Sequence, residues 1–250
     1  MSSQLSSAAR SELAPTGKLR VGINLGNFLL VTNDPATGTL SGIVIDLARE
    51  LGVRTGVPVE FFTFPGAGEL AEAVKRGTWD VAFLGAEPAR ATEIAFSAAY
   101  LEIEVTYLVP PGSPIRSIEE VDREGVRIAV SDKSAYDLFL KRSLKHARLV
   151  SAQGIDASYD LFVAQKLEAL AGLKPRLVTD AERLPGSRML EGRFTAIQQA
   201  IGTPRARGAG AGYLREFAEE IKASGLVAQL IEKHRVRGVS VAPATSPPPP

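Results

Sequence analysis

The 250-residue chain contains no cysteine. That absence removes disulfides, thiolate metal ligands and cysteine nucleophiles together, and leaves the redox compartment open. Histidine is scarce as well. His146 and His234 fall at or near the ends of expected helices, where an imidazole is favoured by the helix dipole. With no Ser-His-Asp spacing, no metal-ligand cluster and no G-x-x-x-x-G-K-[ST] phosphate loop, hydrolase, metalloenzyme and P-loop chemistries are not expected. No cofactor and no metal site is expected either. Charge of one sign is not in excess: 29 Lys and Arg face 28 Asp and Glu, a formal net charge of +1. Nothing in that balance draws the chain to nucleic acid. Apolar stretches are strand-sized, short of the roughly 18 residues a membrane span needs. Residues 1–16, MSSQLSSAARSELAPT, lack the apolar core of a secretory signal.

What is present is a globular composition, 45% hydrophobic and 23% charged, enough to bury a core in one large domain or two smaller ones. Leu19 to Ile23 reads as a strand ending at Asn24, Gly26 and Asn27, residue types that stop pairing and suit a ligand-facing loop. Val44, Leu47, Ala48 and Leu51 recur at helical spacing, and Val57 to Phe64 reads as a strand. The unit repeats with a helix over Glu69 to Arg76 and a strand at Val81 to Leu84. This alternation predicts parallel sheets covered by helices.

Val105 to Val109 reads as a strand running into Pro110-Pro111-Gly112-Ser113-Pro114, the strongest internal punctuation, where the sequence places a domain boundary. A second α/β unit follows: helix Ser117 to Val121, strand Val126 to Val130, helix Ala135 to His146, strand Arg148 to Ser151. Next come a helix from Asp156 and an apolar segment Leu167 to Leu173. One strand over Arg188 to Ile201 then returns toward Gly202-Thr203-Pro204. Two helices, parted at Gly225, close the chain. The expected organisation is therefore a disordered segment 1–17, lobe 1 from 18–111 and 200–236, lobe 2 from 112–199, and a disordered proline-rich tail 237–250. Two extended crossings between the lobes make a hinge, and ligands of open α/β sheets lie at the carboxyl ends of the strands.

The segment Asp80-Val-Ala-Phe-Leu-Gly-Ala-Glu-Pro-Ala-Arg90 is the most specific. A strand enters a glycine turn and then an arginine, whose guanidinium suits a carboxylate through a two-pronged, charge-assisted hydrogen bond. Ser134 and Asp137 form the S-x-x-D pattern of a helix start, where a hydroxyl and unpaired N–H groups favour an anion.

Six pieces taken in order resemble the extracellular solute-binding proteins, family 3, of the type II periplasmic-binding-protein fold: LRVGIN, LSGIVIDLARELG with Asp46, DVAFLGAEPARATEIAFSAAY, TYLVPPGSP, VRIAVSDKSAYDLFL and LVAQLIEKH. The resemblance covers about Gly17 to Arg237. It implies a two-lobe α/β protein that closes on a small carboxylate, with Arg90 on the ligand carboxylate and Phe83 and Gly85 offering backbone groups. It also implies a hydroxyl contact from Ser134, beside Lys133 where relatives carry glycine.

Departures from the pattern matter too. The position matching the family's ammonium-pairing aspartate falls near Leu173, and the usual stacking aromatic of lobe 1 is matched by Asn27, so Asn24 and Asn27 offer neutral amides instead. The ligand expected is a small organic anion that need not be an α-amino acid. The leading expectation is a non-enzymatic, monomeric binder serving an ABC-transporter permease. It would be periplasmic if the start is trimmed or misassigned, and cytoplasmic if the sequence is complete. The alternatives are a cytoplasmic ligand sensor and an enzyme resembling the cyclohexadienyl dehydratases, for which Glu168 or Glu87 would be the general acid.

Overall fold

The computed structural model describes residues 5–245. In chain order these form α1 (Ser7–Leu13), β1 (Leu19–Asn24), β2 (Thr32–Asn33), β3 (Leu40–Ser41), α2 (Ile43–Thr55), β4 (Val59–Phe64), α3 (Ala67–Glu72), β5 (Val81–Gly85), β6 (Ile94–Val109), β7 (Arg127–Ser131), α4 (Ala135–Ser143), β8 (Arg148–Ala152), α5 (Ile155–Ala164), β9 (Ala169–Leu173), α6 (Lys174–Arg183), β10 (Arg188–Met189), β11 (Thr195–Pro204), α7 (Gly208–Ala223), α8 (Leu226–Lys233) and β12 (Val239–Val241). The chain divides into two compact units. The first runs to Glu102 and resumes at Gln198; the second is Ile103–Ile197.

The sequence sets these boundaries at 111/112 and 199/200, but the structure sets them inside β6 and β11. Prolines mark where a strand stops donating to a ladder, not where the chain changes unit. Here β6 has already entered the second unit before Pro110 ends it.

In the first unit, β4, β1 and β5 are parallel neighbours, while β11 lies antiparallel to β5. In the second, β8, β7 and β9 are parallel and β6 runs antiparallel to β9. Each unit thus has the expected parallel core with antiparallel strands added, among them β6 and β11, the strands that carry the chain across the unit boundary.

The helices bury the faces their spacing predicts. On α2 Val44, Leu47, Ala48 and Leu51 are buried, and Gly56 ends the helix in the left-handed region, φ 65°. α7 buries Leu214, Phe217, Ala218 and Ile221. Trp79 is fully buried and its indole N–H donates to the Leu70 carbonyl at 2.9 Å. Packing there is close enough that a Cβ on Gly22 would fall 2.5 Å from Leu70 Cδ1.

Four segments differ from the sequence reading. Residues 7–13, expected to be disordered, form α1, with Ala9 and Leu13 buried and the Glu12 carboxylate accepting from the Gly210 N–H at 2.7 Å. Two apolar residues give no legible period; the packing partner, α7, is 200 residues away in sequence. In the region expected as a disordered tail, β12 pairs with β6 and the Ala242 N–H donates to the Tyr100 carbonyl at 3.2 Å. Residues 246–250 of that tail lie outside the described residues. α6 was not expected; its Pro175 sits in the first turn, where no N–H is needed, and among its residues Leu177 and Asp180 are buried. Finally, the single strand expected over 188–201 is two, β10 and β11, interrupted around Gly192 at φ 78°.

Candidate functional site

In the first unit the register Asn24↔Phe64, together with Gly22↔Ala82, brings the carboxyl ends of β1, β4 and β5 to one edge. This is where open α/β sheets take ligands. Three loops leave it. In the loop after β1, the Asn24 side chain is used internally, its Oδ1 accepting from the Gly26 N–H at 3.0 Å. The Asn27 carbonyl accepts from the N–H groups of Leu30 and Val31 at 3.0 and 3.1 Å. Asn27 Oδ1, by contrast, is buried and meets no donor. Gly26 lets the loop pass close to its neighbour, since a Cβ there would lie 2.8 Å from the Pro65 carbonyl oxygen.

Arg90 stands in the turn after β5 and is buried, with 6% of its surface exposed. Its N–H donates to the Glu87 carbonyl at 2.9 Å, and its Nη1 donates to the Gly85 carbonyl at 2.7 Å. Burial pulls the guanidinium down to about 10, against the opposing effect of Glu87. A cation whose charged form is disfavoured by burial gains from an anionic ligand more than an exposed one does. Gly85 therefore acts through its carbonyl as the arginine's anchor. The Phe83 side chain belongs to the core: it is 3% exposed and meets the Tyr100 ring edge-on, centroids 5.9 Å apart.

In the second unit the ends of β7, β8 and β9 share an edge by the pairs Ser131↔Ala152 and Ala129↔Leu170. Ser134 caps α4, its Oγ accepting from the Asp137 N–H at 3.1 Å. Asp137 has no exposed surface, and its Oδ2 accepts from the Lys133 N–H at 2.8 Å and from Lys141 Nζ at 2.7 Å. The Asp137 carboxylate is thus held by the Lys133 N–H that precedes the helix and by Lys141 within it. The hydroxyl of Ser134 is also engaged within the chain, in a hydrogen bond with Tyr136. Lys133 is exposed and takes φ 54°, in the left-handed region that favours glycine. Burial pushes Tyr136 up to about 12, opposed by hydrogen bonds with Ser134 and Ser131.

Leu173 is buried, 4% exposed, at the end of β9, and Lys174 beside it donates to Glu104 Oε2 at 2.7 Å. Glu168 does not fit the general acid considered for a dehydratase. Its carboxylate accepts from Arg127 three times, from the backbone N–H and Nη2 at 2.8 Å and from Nε at 2.9 Å. These bonds hold its carboxyl below the ordinary range, whereas a general acid needs it raised. His234 pairs with Asp46, Nε2 to Oδ2 2.7 Å, and the backbone N–H of His146 donates to Asp122. Both are structural contacts. Among the described residues, no His and carboxylate cluster that could hold a metal ion is found, and no helix is long and apolar enough to cross a membrane.

The model of the bacterial extracellular solute-binding proteins, family 3, matches residues 19–236. The chain belongs to that family. Solved structures sharing its two-lobe, type II periplasmic-binding-protein fold include the solute receptor for L-cysteine of Neisseria gonorrhoeae, with a TM-score of 0.75 at 20% identity over 93% of this chain and 96% of that one. Another is an ancestral amino acid-binding protein, a precursor of cyclohexadienyl dehydratase, with a TM-score of 0.72 at 22% identity over 90% and 98%. A third is the substrate-binding protein of an amino acid ABC transporter, with a TM-score of 0.71 at 16% identity over 87% and 98%. At these identities the likeness establishes the fold, and membership of the family establishes a solute-binding role.

Proposed function

We propose that the protein closes its two units on a small carboxylate, an amino acid or related organic anion, and delivers it to an ABC-type uptake system outside the cytoplasmic membrane. Arg90 takes the carboxylate, backbone groups at Phe83 and Gly85 and the amides of Asn24 and Asn27 line the first unit's share, and Ser134 and Lys133 contribute from the second. The observation that carries this reading is the buried guanidinium of Arg90, anchored by the Gly85 carbonyl at the carboxyl edge of β5. Family membership supplies the solute-binding role, and a carboxylate is the ligand group that best offsets the desolvation of a buried guanidinium. Leu173, apolar where an ammonium would need a carboxylate, supports an organic anion over a strict α-amino acid.

A thermal-shift screen with amino acids, hydroxy acids, keto acids and dicarboxylates tests this, because a ligand that binds only the folded state raises the melting temperature. Including prephenate and arogenate, with aromatic product followed, separates binding from turnover. A hit whose shift survives Arg90→Ala contradicts the carboxylate assignment, and product formation contradicts a pure binder.

A further inference from the structure

Glu102 and Gln198 mark the border of the first unit: Glu102 is its last residue before β6 leaves, and Gln198 its first after β11 returns. Their side chains are joined, Gln198 Nε2 donating to Glu102 Oε1 at 2.9 Å. Both residues are partly buried, so this charge-assisted bond is shielded from part of the competing water. In the sheet β11 lies between β5 and β6. On the β5 side, pairing reaches Gln199↔Gly85, and the Gln198 carbonyl then accepts from the Ala86 N–H at 2.8 Å. Ala86 follows directly on Gly85, whose carbonyl anchors the Arg90 guanidinium at 2.7 Å. A continuous run of bonds therefore leads from the Glu102 carboxylate through Gln198 and the Gly85–Ala86 peptide to Arg90.

We propose that Gln198 is a positioning residue for Arg90: held on one side by Glu102, it fixes the peptide that aims the guanidinium, and ligand affinity depends on that hold. The inference rests on the reading of Arg90 as the ligand's anchor and adds a residue that acts through it. The physical reason is preorganisation. An arginine already aimed loses little freedom on binding, whereas a loosened turn has to be ordered at the expense of affinity. The ladder between β5 and β11 ends at Ala86, and the last bond of a ladder is the one that opens most readily. A side-chain tie at Gln198 secures that end from the β6 side.

The first arm of the test needs no ligand. Amide hydrogen exchange at Ala86, read by NMR, should be about fivefold or more faster in Gln198→Leu and in Glu102→Leu than in the wild type. The double variant should exchange no faster than either single one, since both remove the same bond. Glu102→Gln keeps an acceptor oxygen and should behave as the wild type. Gln198→Glu sets two carboxylates against each other at neutral pH; one takes up a proton on acidification and the bond re-forms, so exchange should return toward the wild-type value near about pH 5. Ser97→Ala is the control for general loosening, because it removes a different tie between the same two strands, the 3.0 Å bond from the Ile201 N–H to Ser97 Oγ. It should lower the melting temperature and leave Ala86 as it was. The second arm is calorimetry with L-alanine, L-glutamate, lactate and succinate. Any of these that binds should bind at least about threefold more weakly to Gln198→Leu and normally to Glu102→Gln. Unchanged exchange at Ala86, equal effects of Ser97→Ala and Gln198→Leu, or a binding acid that keeps its affinity in Gln198→Leu overturns the inference. Arg90→Ala judges the carboxylate reading separately: if affinity survives there, that reading fails, while the exchange arm still decides whether Gln198 holds the turn.

Discussion

Arg90 and Gly85 are joined by a 2.7 Å hydrogen bond from the guanidinium Nη1 to the carbonyl that ends β5. The strand thus holds the cation by its own last carbonyl, and the chemistry of the turn depends on guanidinium geometry as well as on charge. Arg90→Ala should lower affinity for the ligand found in the screen by about thirtyfold or more, the usual value of charge-assisted hydrogen bonds. Arg90→Lys, keeping the charge without the fork, should fall between wild type and alanine. Calorimetric affinities for the three proteins check this ordering, and a lysine variant equal to wild type would show that charge alone matters.

A second arginine pair acts on stability. Asp80, with no exposed surface, receives Arg20 through Nε and Nη2, each at 2.8 Å, and Arg207 through Nη1 at 2.6 Å. It fastens β1 and β5 to the segment that returns after β11. Asp80→Asn keeps the shape but leaves two partly buried guanidinium groups without their counter-charge. The expected cost is about 3 kcal/mol in urea denaturation, with ligand affinity unchanged when measured well below the melting temperature.

Glu168 gives a pH signature. Arg127 holds its carboxyl below the ordinary range against the effect of burial. The stabilisation is therefore fully present above the unfolded-state value of a glutamate and disappears as pH falls through the lower folded value. Melting curves of the wild type and Glu168→Gln should differ by a constant amount near neutrality and converge in acid. A gap that widens as the pH drops would reverse the assignment. The same variant should bind ligand as the wild type does.

Lys133 separates backbone strain from ligand charge. At φ 54° a glycine is more comfortable than a lysine. Lys133→Gly should keep or raise stability by up to about 1 kcal/mol, while weakening binding of an anionic ligand through the lost cation. Urea melts and calorimetry on the one variant check both, and undiminished affinity would remove Lys133 from the site.

Much of the local structure around the candidate site was legible because local sequence carries it. The S-x-x-D spacing announces the capping of α4 by Ser134 and Asp137, and the strand, glycine and arginine order from Val81 to Arg90 announces the turn. The role of Asp137 was not legible as a consequence for ligands. Its carboxylate bonds the Lys133 N–H just ahead of the helix and Lys141 Nζ, contacts that the S-x-x-D pattern does not announce. The pairing of Glu168 was hidden for a similar reason. Nothing near it in sequence announces Arg127, 41 residues earlier, which β7 brings alongside through its pairing with β9.

The sequence alone determined the alternating elements, the parallel cores and the position of Arg90 at a strand end. Those follow from residue spacing within a dozen positions, where apolar period and turn chemistry act. Tertiary structure decided which polar atoms are already satisfied: Asn24 but not Asn27, Asp137 through one oxygen but not the other. It also decided that the weakly patterned ends, α1 and β12, are held by α7 and β6. Hydrogen bonding and burial between distant segments settle such matters, because whether a donor meets an acceptor depends on where the whole chain has brought them.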